Sequence, residues 1–263
     1  MSDLILCDEH EHVATLTLNR PAKRNAMSPA LLTDLATQLR RLAEKPDIRV
    51  LILRGQGTEA FSAGYDIGHL PAREGNEPLP DGNGVGLFQR VLEQVRTFHA
   101  PVVAMIHGFC MGGGLELAAT CDIRLSADSG VFCMPPARLG TLYSGDGLLR
   151  FVNLIGIANT CEIFYTACRF DAQRAHQMGL VNHVVPAAEL EEHTGAMAQQ
   201  IVRNAPLSVK NTKTSLAHVL RFQDFSPHAE TLKRLRDACM QSDDFQEGRR
   251  AFLEKRPPLF RGG

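Results

Sequence analysis

Phe61-Ser62-Ala63-Gly64-Tyr65-Asp66-Ile67 and Gly108-Phe109-Cys110-Met111-Gly112-Gly113-Gly114-Leu115-Glu116-Leu117-Ala118 decide the reading of this 263-residue chain. Each closes an apolar, strand-like run with glycines where a helix should begin. The first N–H groups of a helix have no helical carbonyl to bond. Two such helix starts side by side form a cradle for a developing negative oxygen, with no charged side chain required.

Around these segments the apolar pattern alternates between strand and helix. Ala14, Leu16 and Leu18 alternate through His12–Asn19, as in a half-buried strand. Ser28 followed by Pro29 reads as an N-cap and first helical residue, and Leu31, Leu32, Leu35, Leu39 and Leu42 then recur at helical spacing to Glu44. Val50-Leu51-Ile52-Leu53 is a continuous apolar run, expected of a strand buried on both faces. Further strand-like runs at Pro101–Ile106, Ile123–Ser126 and Leu180–Val185 alternate with helical patterns, which predicts an α/β fold with a largely parallel sheet. Residues 68–86 collect Gly, Pro, Asn and charge and read as a loop, either a lid over a pocket or a plain solvent-exposed connection. From Ala187 to Leu253 the pattern is helical, with breaks near Asn204-Ala205-Pro206 and Phe225-Ser226-Pro227.

Composition removes several classes of function. A formal net charge of -1 leaves no basic footprint for nucleic acid. The seven cysteines are odd in number and lack CxxC spacing, and several lie in apolar runs, so they read as buried thiols in a reducing compartment. Neither they nor His69, His107 and His176 have metal-ligand spacing, and no metal or redox cofactor is expected. No GxSxG elbow surrounds Ser62 or Ser144, which disfavours a serine hydrolase. Met1–Glu11 carries acids and no apolar core, unlike a secretory signal, and no run approaches 18 uninterrupted apolar residues. A cytoplasmic protein without a membrane partner is the expectation.

Taken together and in order, Asn19-Arg20-Pro21…Asn25-Ala26, the two glycine segments, Cys121-Asp122, Gly179-Leu180-Val181-Asn182…Val184-Val185 and Glu247-Gly248…Ala251-Phe252-Leu253-Glu254-Lys255-Arg256 resemble the landmarks of the crotonase (enoyl-CoA hydratase/isomerase) family. The resemblance implies a ββα spiral core over residues 1–186, a helical trimerisation region over 187–263, and homotrimers or dimers of trimers. It implies an acyl-CoA thioester as substrate, with coenzyme A entering as part of it and no separate cofactor. The backbone N–H groups of Tyr65 and Gly113 would form the oxyanion hole. Arg24, Ala26, Ala63 and Asp66 match positions near the nucleotide or pantetheine, and Phe252 and Lys255 match residues that reach a neighbouring subunit's coenzyme A.

Glu116 is the only acid between Glu93 and Asp122, and it sits in an apolar helix start. A carboxylate there complements the helix dipole or moves protons, and it matches one of the family's two catalytic glutamates. The second glutamate follows the next strand in a Pro-Glu pair. In Met134-Pro135-Pro136-Ala137 that position is Pro136, which holds no proton, so the two-glutamate mechanism does not transfer intact. Tyr143, in Leu139-Gly140-Thr141-Leu142-Tyr143-Ser144, is the candidate replacement, and this segment resembles the methylmalonyl-CoA decarboxylase-like branch. That branch usually has histidine where Tyr65 stands. The leading expectation is a hydratase-like lyase acting on an enoyl-CoA. Decarboxylation of a malonyl-type acyl-CoA is the close alternative. A non-catalytic or RNA-binding family member is the reading from another class.

Overall fold

The structure, a computed structural model, describes residues 3–66, 68, 85–139, 143–221, 230, 231, 234, 238, 241–254, 256 and 258–262. Most of the 68–86 loop, the break at Phe225-Ser226-Pro227, and Lys255 lie outside the described residues.

Six strands form one sheet: β1 (Ile5–His10), β2 (Val13–Leu18), β3 (Val50–Gly55), β5 (Val102–Ile106), β7 (Ile123–Ala127) and β10 (His183–Val185), in the order β1-β2-β3-β5-β7-β10. All neighbours are parallel except the hairpin of β1 with β2. Four short strands form a second sheet, β4 (Ala60–Ser62), β6 (Phe109–Met111), β8 (Val131–Cys133) and β9 (Phe170–Asp171), in the order β4-β6-β8-β9. The chain therefore repeats a unit. Strands β3, β5 and β7 enter the large sheet, β4, β6 and β8 follow in the small one, and helices α2 (Val85–Arg96), α3 (Gly113–Thr120) and α4 (Gly145–Thr166) close each turn. This is the ββα spiral that the resemblance implies.

Hydrophobic burial holds the layers together. Helix α1 (Pro29–Ala43) starts as expected, with Ser28 Oγ accepting the Leu31 N–H at 3.3 Å and Pro29 at the first helical position. Its Leu31, Leu32, Leu35, Leu39 and Leu42 are buried in one core with Leu51, Leu53, Val91 and Leu92. Each fully buried leucine stabilises by roughly 2 kcal/mol. The opposite face of the large sheet is covered by α6 (Leu190–Val202), whose Leu190, Ala198 and Val202 pack on Val50, Val103 and Leu125. The boundary at residues 186 and 187 thus separates sequence patterns, while α6 packs on the core sheet. Helix α5 (Ala172–Gln177) precedes β10, and α8 (Asp243–Glu254) is the last helix. Helix α7 (Pro206–Arg221) is tied to the core by Lys213 Nζ, which donates to Asp122 Oδ2 at 2.7 Å and to the Ala100 carbonyl at 3.0 Å.

Several readings need correction. The strand expected over Leu180–Val185 is only His183–Val185, because the Leu180 and Val181 N–H groups donate to the Ala175 carbonyl of the preceding helix instead of to a strand. Strand β1 leaves no period-two mark in the sequence, since its exposed Asp8, Glu9 and His10 mask any apolar alternation. Among the described residues six cysteines are free thiols, but only Cys110, Cys121 and Cys133 are buried, and Cys168 is exposed. Helix α4 is long and apolar enough to cross a membrane by length and composition. It breaks at Gly156 (φ 75°, ψ 164°), and neither half approaches the ~20 residues that a span needs.

Candidate active site

Topology brings the two glycine segments together. Strands β4 and β6 are parallel neighbours, so the turns at their C-terminal ends emerge side by side. Gly64 has φ +95°, and a Cβ on it would lie 2.7 Å from the Met111 carbonyl oxygen and 3.1 Å from the Gly113 nitrogen. Both the backbone conformation and the close approach exclude a side chain. Gly112, the N-cap of α3, has φ +50° and offers no capping side chain. A Cβ on Gly113 would sit 3.3 Å from the Tyr65 nitrogen. Among the described residues neither the Tyr65 nor the Gly113 N–H has a backbone acceptor. Two unused donors thus lie close together at the start of α3.

A loop clamps the first donor in place. Met27 N–H donates to the Gly64 carbonyl at 2.8 Å and Asp66 N–H to the Met27 carbonyl at 3.1 Å, which leaves the Tyr65 N–H between them. Asn25 is fully buried, and its Nδ2 donates to the carbonyls of Gln56 and Ala60. Ala63 N–H donates to the Arg24 carbonyl at 2.8 Å. Arg20, which the sequence reading did not single out, donates through one Nη1 to the Ala26 carbonyl at 2.7 Å and to Asp66 Oδ2 at 3.0 Å. Ala26, Ala63 and Asp66 therefore border the cradle turn. Arg24 lies on the same loop, where its Nε donates to Glu59 Oε1 at 2.6 Å and its guanidinium stands 5.2 Å from the Phe109 ring centre.

Glu116 lies in the first turn of α3 and is 3% exposed. Burial raises its pKa from 4.5, and the cation that opposes this shift is Arg150. Arg150 Nη1 donates to Glu116 Oε1 at 3.1 Å. The start of α4 makes this contact possible. Ser144 Oγ accepts the Gly147 N–H at 3.1 Å and starts the helix, and Gly147 then presses on the carboxylate. A Cβ on Gly147 would lie 3.0 Å from Glu116 Oε1 and 3.2 Å from Tyr143 Cδ1. Tyr143 therefore shares the space beside Glu116. Burial, reinforced by the Glu116 charge, pushes the Tyr143 phenol far above its usual range, so it stays protonated. Its hydroxyl also borders Gly112, 3.9 Å from where a Cβ would stand.

The third strand end completes the site. Strand β8 neighbours β6, and the Gly112 N–H donates to the Cys133 carbonyl at 2.9 Å. Pro135 Cδ lies 3.5 Å from a Cβ position on Gly112, and Pro136 opens a short 3-10 helix, Pro136–Leu139. Glu116 and Asp244 are the buried carboxylates among the described residues, and Asp244 accepts the Arg261 and Gly262 N–H groups elsewhere. Among the described residues the buried Tyr65 hydroxyl has no hydrogen-bond partner.

Sequence reasoning missed Arg150. The signal was present: like Glu116, it is a lone charge in an apolar helical stretch, here Leu148-Leu149-Arg150-Phe151. Phe252 belongs to α8, with its side chain outside the described set, as is all of Lys255. His107 is buried and His176 Nδ1 lies 3.0 Å from the Val181 carbonyl, whereas His69 is not described. Among the described residues no group of three or more His, Cys, Asp or Glu could hold a metal ion.

Comparison with known proteins shows the family and the fold. The family model for enoyl-CoA hydratase/isomerase matches residues 8–263. The chain is 35% identical over 256 residues to methylmalonyl-CoA decarboxylase of Escherichia coli, covering 95% of each. It is 33% identical over 269 residues to carnitinyl-CoA dehydratase of Citrobacter koseri, across the full length of both. The crystal structure of an enoyl-CoA hydratase from Bacillus anthracis superposes with a TM-score of 0.91 at 33% identity, covering 99% of this chain and 100% of that one.

Proposed function

The chain belongs to the enoyl-CoA hydratase/isomerase family, and we propose that it hydrates an enoyl-CoA thioester through an enolate held between the Tyr65 and Gly113 N–H groups. The observation that carries this reading is the convergence of two unused backbone donors beside a buried carboxylate. The thioester oxygen gains negative charge as the enolate forms, so the donors act most strongly in the transition state. Ionised Glu116 takes a proton from water, and the resulting hydroxide adds to the β-carbon. The electron pair of the double bond moves into the enolate. The protonated Tyr143 hydroxyl then supplies the proton to the α-carbon, and the proton on Glu116 restores the phenol. Pro136 takes no part in proton transfer. The Arg24–Glu59 pair is about half exposed and worth at most about 1 kcal/mol, so a coenzyme A phosphate can compete for Arg24.

Tyr143 beside the cradle favours one second reading, decarboxylation of a malonyl-type acyl-CoA. There the bond to the carboxylate breaks, its electron pair enters the same enolate, CO2 leaves, Tyr143 protonates the α-carbon, and a solvent proton restores the phenol. No base is needed, so the two readings rank the variants differently. Incubation with crotonyl-CoA, a branched enoyl-CoA and methylmalonyl-CoA, followed by mass spectrometry, should show gain of water by an enoyl substrate. Under hydration, Glu116→Gln should be hurt at least as much as Tyr143→Phe. Under decarboxylation, Tyr143→Phe should lose more. Near-normal rates for both variants would leave the backbone cradle as the sole catalytic device.

The proposal includes assembly into a homotrimer or dimer of trimers, with Phe252 and Lys255 meeting a neighbour's coenzyme A. Leu149 and Ile157 on α4 and Leu216 on α7 are each more than half exposed, the type of surface a subunit interface buries. Light scattering at micromolar concentration should report a trimer or a multiple of it. A monomer would overturn this part.

A further inference from the structure

We propose that Arg150 is a positioning residue for the reaction: it fixes the charge and direction of the Glu116 carboxylate beside the cradle. This rests on the reading of Glu116 as the proton-transferring group. Gly147 and Arg150 are three residues apart on α4, so they share one helix face. Gly147 brings that face against the carboxylate, and one turn on, Arg150 reaches Oε1 at 3.1 Å. The side chains are 4% exposed for Glu116 and 19% for Arg150, so water screens the pair weakly. One oxygen of Glu116 is committed to Arg150, and no hydrogen bond holds the other among the described residues. The free oxygen is the one available to accept a proton. Without a nearby cation, a carboxylate this buried would be neutral over more of the working pH range.

Other charges around the pair are already balanced. Arg150 lines a cleft of about 640 Å3 with Glu93, Arg96, Asp122, Arg124, Asp146 and Lys213. Arg96 pairs with Glu93, Lys213 with Asp122, and buried Arg124 donates to the carbonyls of Leu180, Ala118 and Cys121. Asp146, exposed in the first turn of α4, faces Arg96. From the other side Tyr143 faces Glu116 as a neutral phenol. Arg150 is therefore the cation that opposes the effect of burial on the Glu116 carboxylate.

The test compares Arg150→Met, Arg150→Gln and Arg150→Lys with Glu116→Gln, all checked for folding by circular dichroism. Carbon NMR of glutamate-labelled protein follows the Glu116 carboxyl, assigned by its loss in Glu116→Gln. Its titration should move up by about one pH unit or more in the Met and Gln variants and stay near wild type in the Lys variant. With crotonyl-CoA as probe, the acid limb of kcat should move with it, kcat at neutral pH should fall about tenfold, and KM should change little. An unmoved Glu116 titration in folded Arg150→Met overturns the proposal. So does failure of both neutral variants to fold while Arg150→Lys folds, since the pair would then be structural. If the titration moves but Glu116→Gln keeps full activity, the reading of Glu116 as the proton-transferring group fails, and with it a role for Arg150 in the chemistry.

Discussion

Replacing Gly113 with proline should lower turnover of an acyl-CoA substrate by about two to three orders of magnitude while the protein still folds. Gly113 is the first residue of α3, and proline is well tolerated there because that N–H makes no helical bond. The substitution removes one of the two donors, which typically costs about 3–4 kcal/mol of transition-state stabilisation. It also adds volume. A Cβ on residue 113 would sit 3.3 Å from the Tyr65 nitrogen and from Met27 Cε, and 3.5 Å from Phe88 Cζ. Gly113→Ala separates the two effects, since it adds the Cβ and keeps the N–H. The donor's share is the difference in kcat between the alanine and proline variants. A folded Gly113→Pro enzyme with wild-type turnover would remove the cradle from the mechanism.

Glu116→Gln should lower hydration by about two to four orders of magnitude, the range expected for an acid–base group. The amide keeps the shape and a hydrogen-bond acceptor for Arg150 but cannot take a proton from water. The pH dependence has opposite signs for activity and stability. Burial holds the Glu116 pKa above 4.5, so the carboxylate that the proposed hydration uses disappears as pH falls through a value higher than that. For folding, a raised native pKa means that the protonated group is the better accommodated form. The stability it contributes is fully present below about pH 4.5 and is lost as pH rises through the native pKa. Wild-type activity should therefore climb with pH over the window in which this contribution to stability declines, and Glu116→Gln should flatten both trends. Rate profiles and thermal melts over this window measure both. A wild-type rate in the glutamine variant would sink the base assignment.

Much of the architecture could be read from residue pattern. Five leucines at helical spacing after Ser28-Pro29 form α1, and the continuous run at Val50–Leu53 becomes a strand covered on both faces, by α1 on one and α6 on the other. Glu116 stood out because an isolated acid in an apolar helix start requires an explanation. The small sheet was less legible. Its strands are two or three residues long, too short for period-two alternation to register. Several landmarks of the resemblance proved to hold the fold together. Asp122 Oδ2 accepts the Val102 N–H, Asn182 Oδ1 accepts the Arg124 N–H, and Glu247 binds Arg256 and the Leu259 N–H.

The alternation of strand and helix, the turn glycines and the lone buried acid can all be read from residue order. These follow from local periodicity, backbone freedom and the cost of burying charge. Which groups meet is set by the packing of distant segments. The parallel pairing of β4, β6 and β8 puts three strand ends side by side, so that Tyr65, Gly113 and the Pro135-Pro136 turn share one site. The approach of α4 to α3 brings Arg150 to Glu116 across 34 residues, and the loop clamp puts Arg20 on Asp66 across 46. Such partners leave no mark at local spacing, because Coulomb attraction and hydrogen bonding act over a few ångströms of space whatever the separation along the chain.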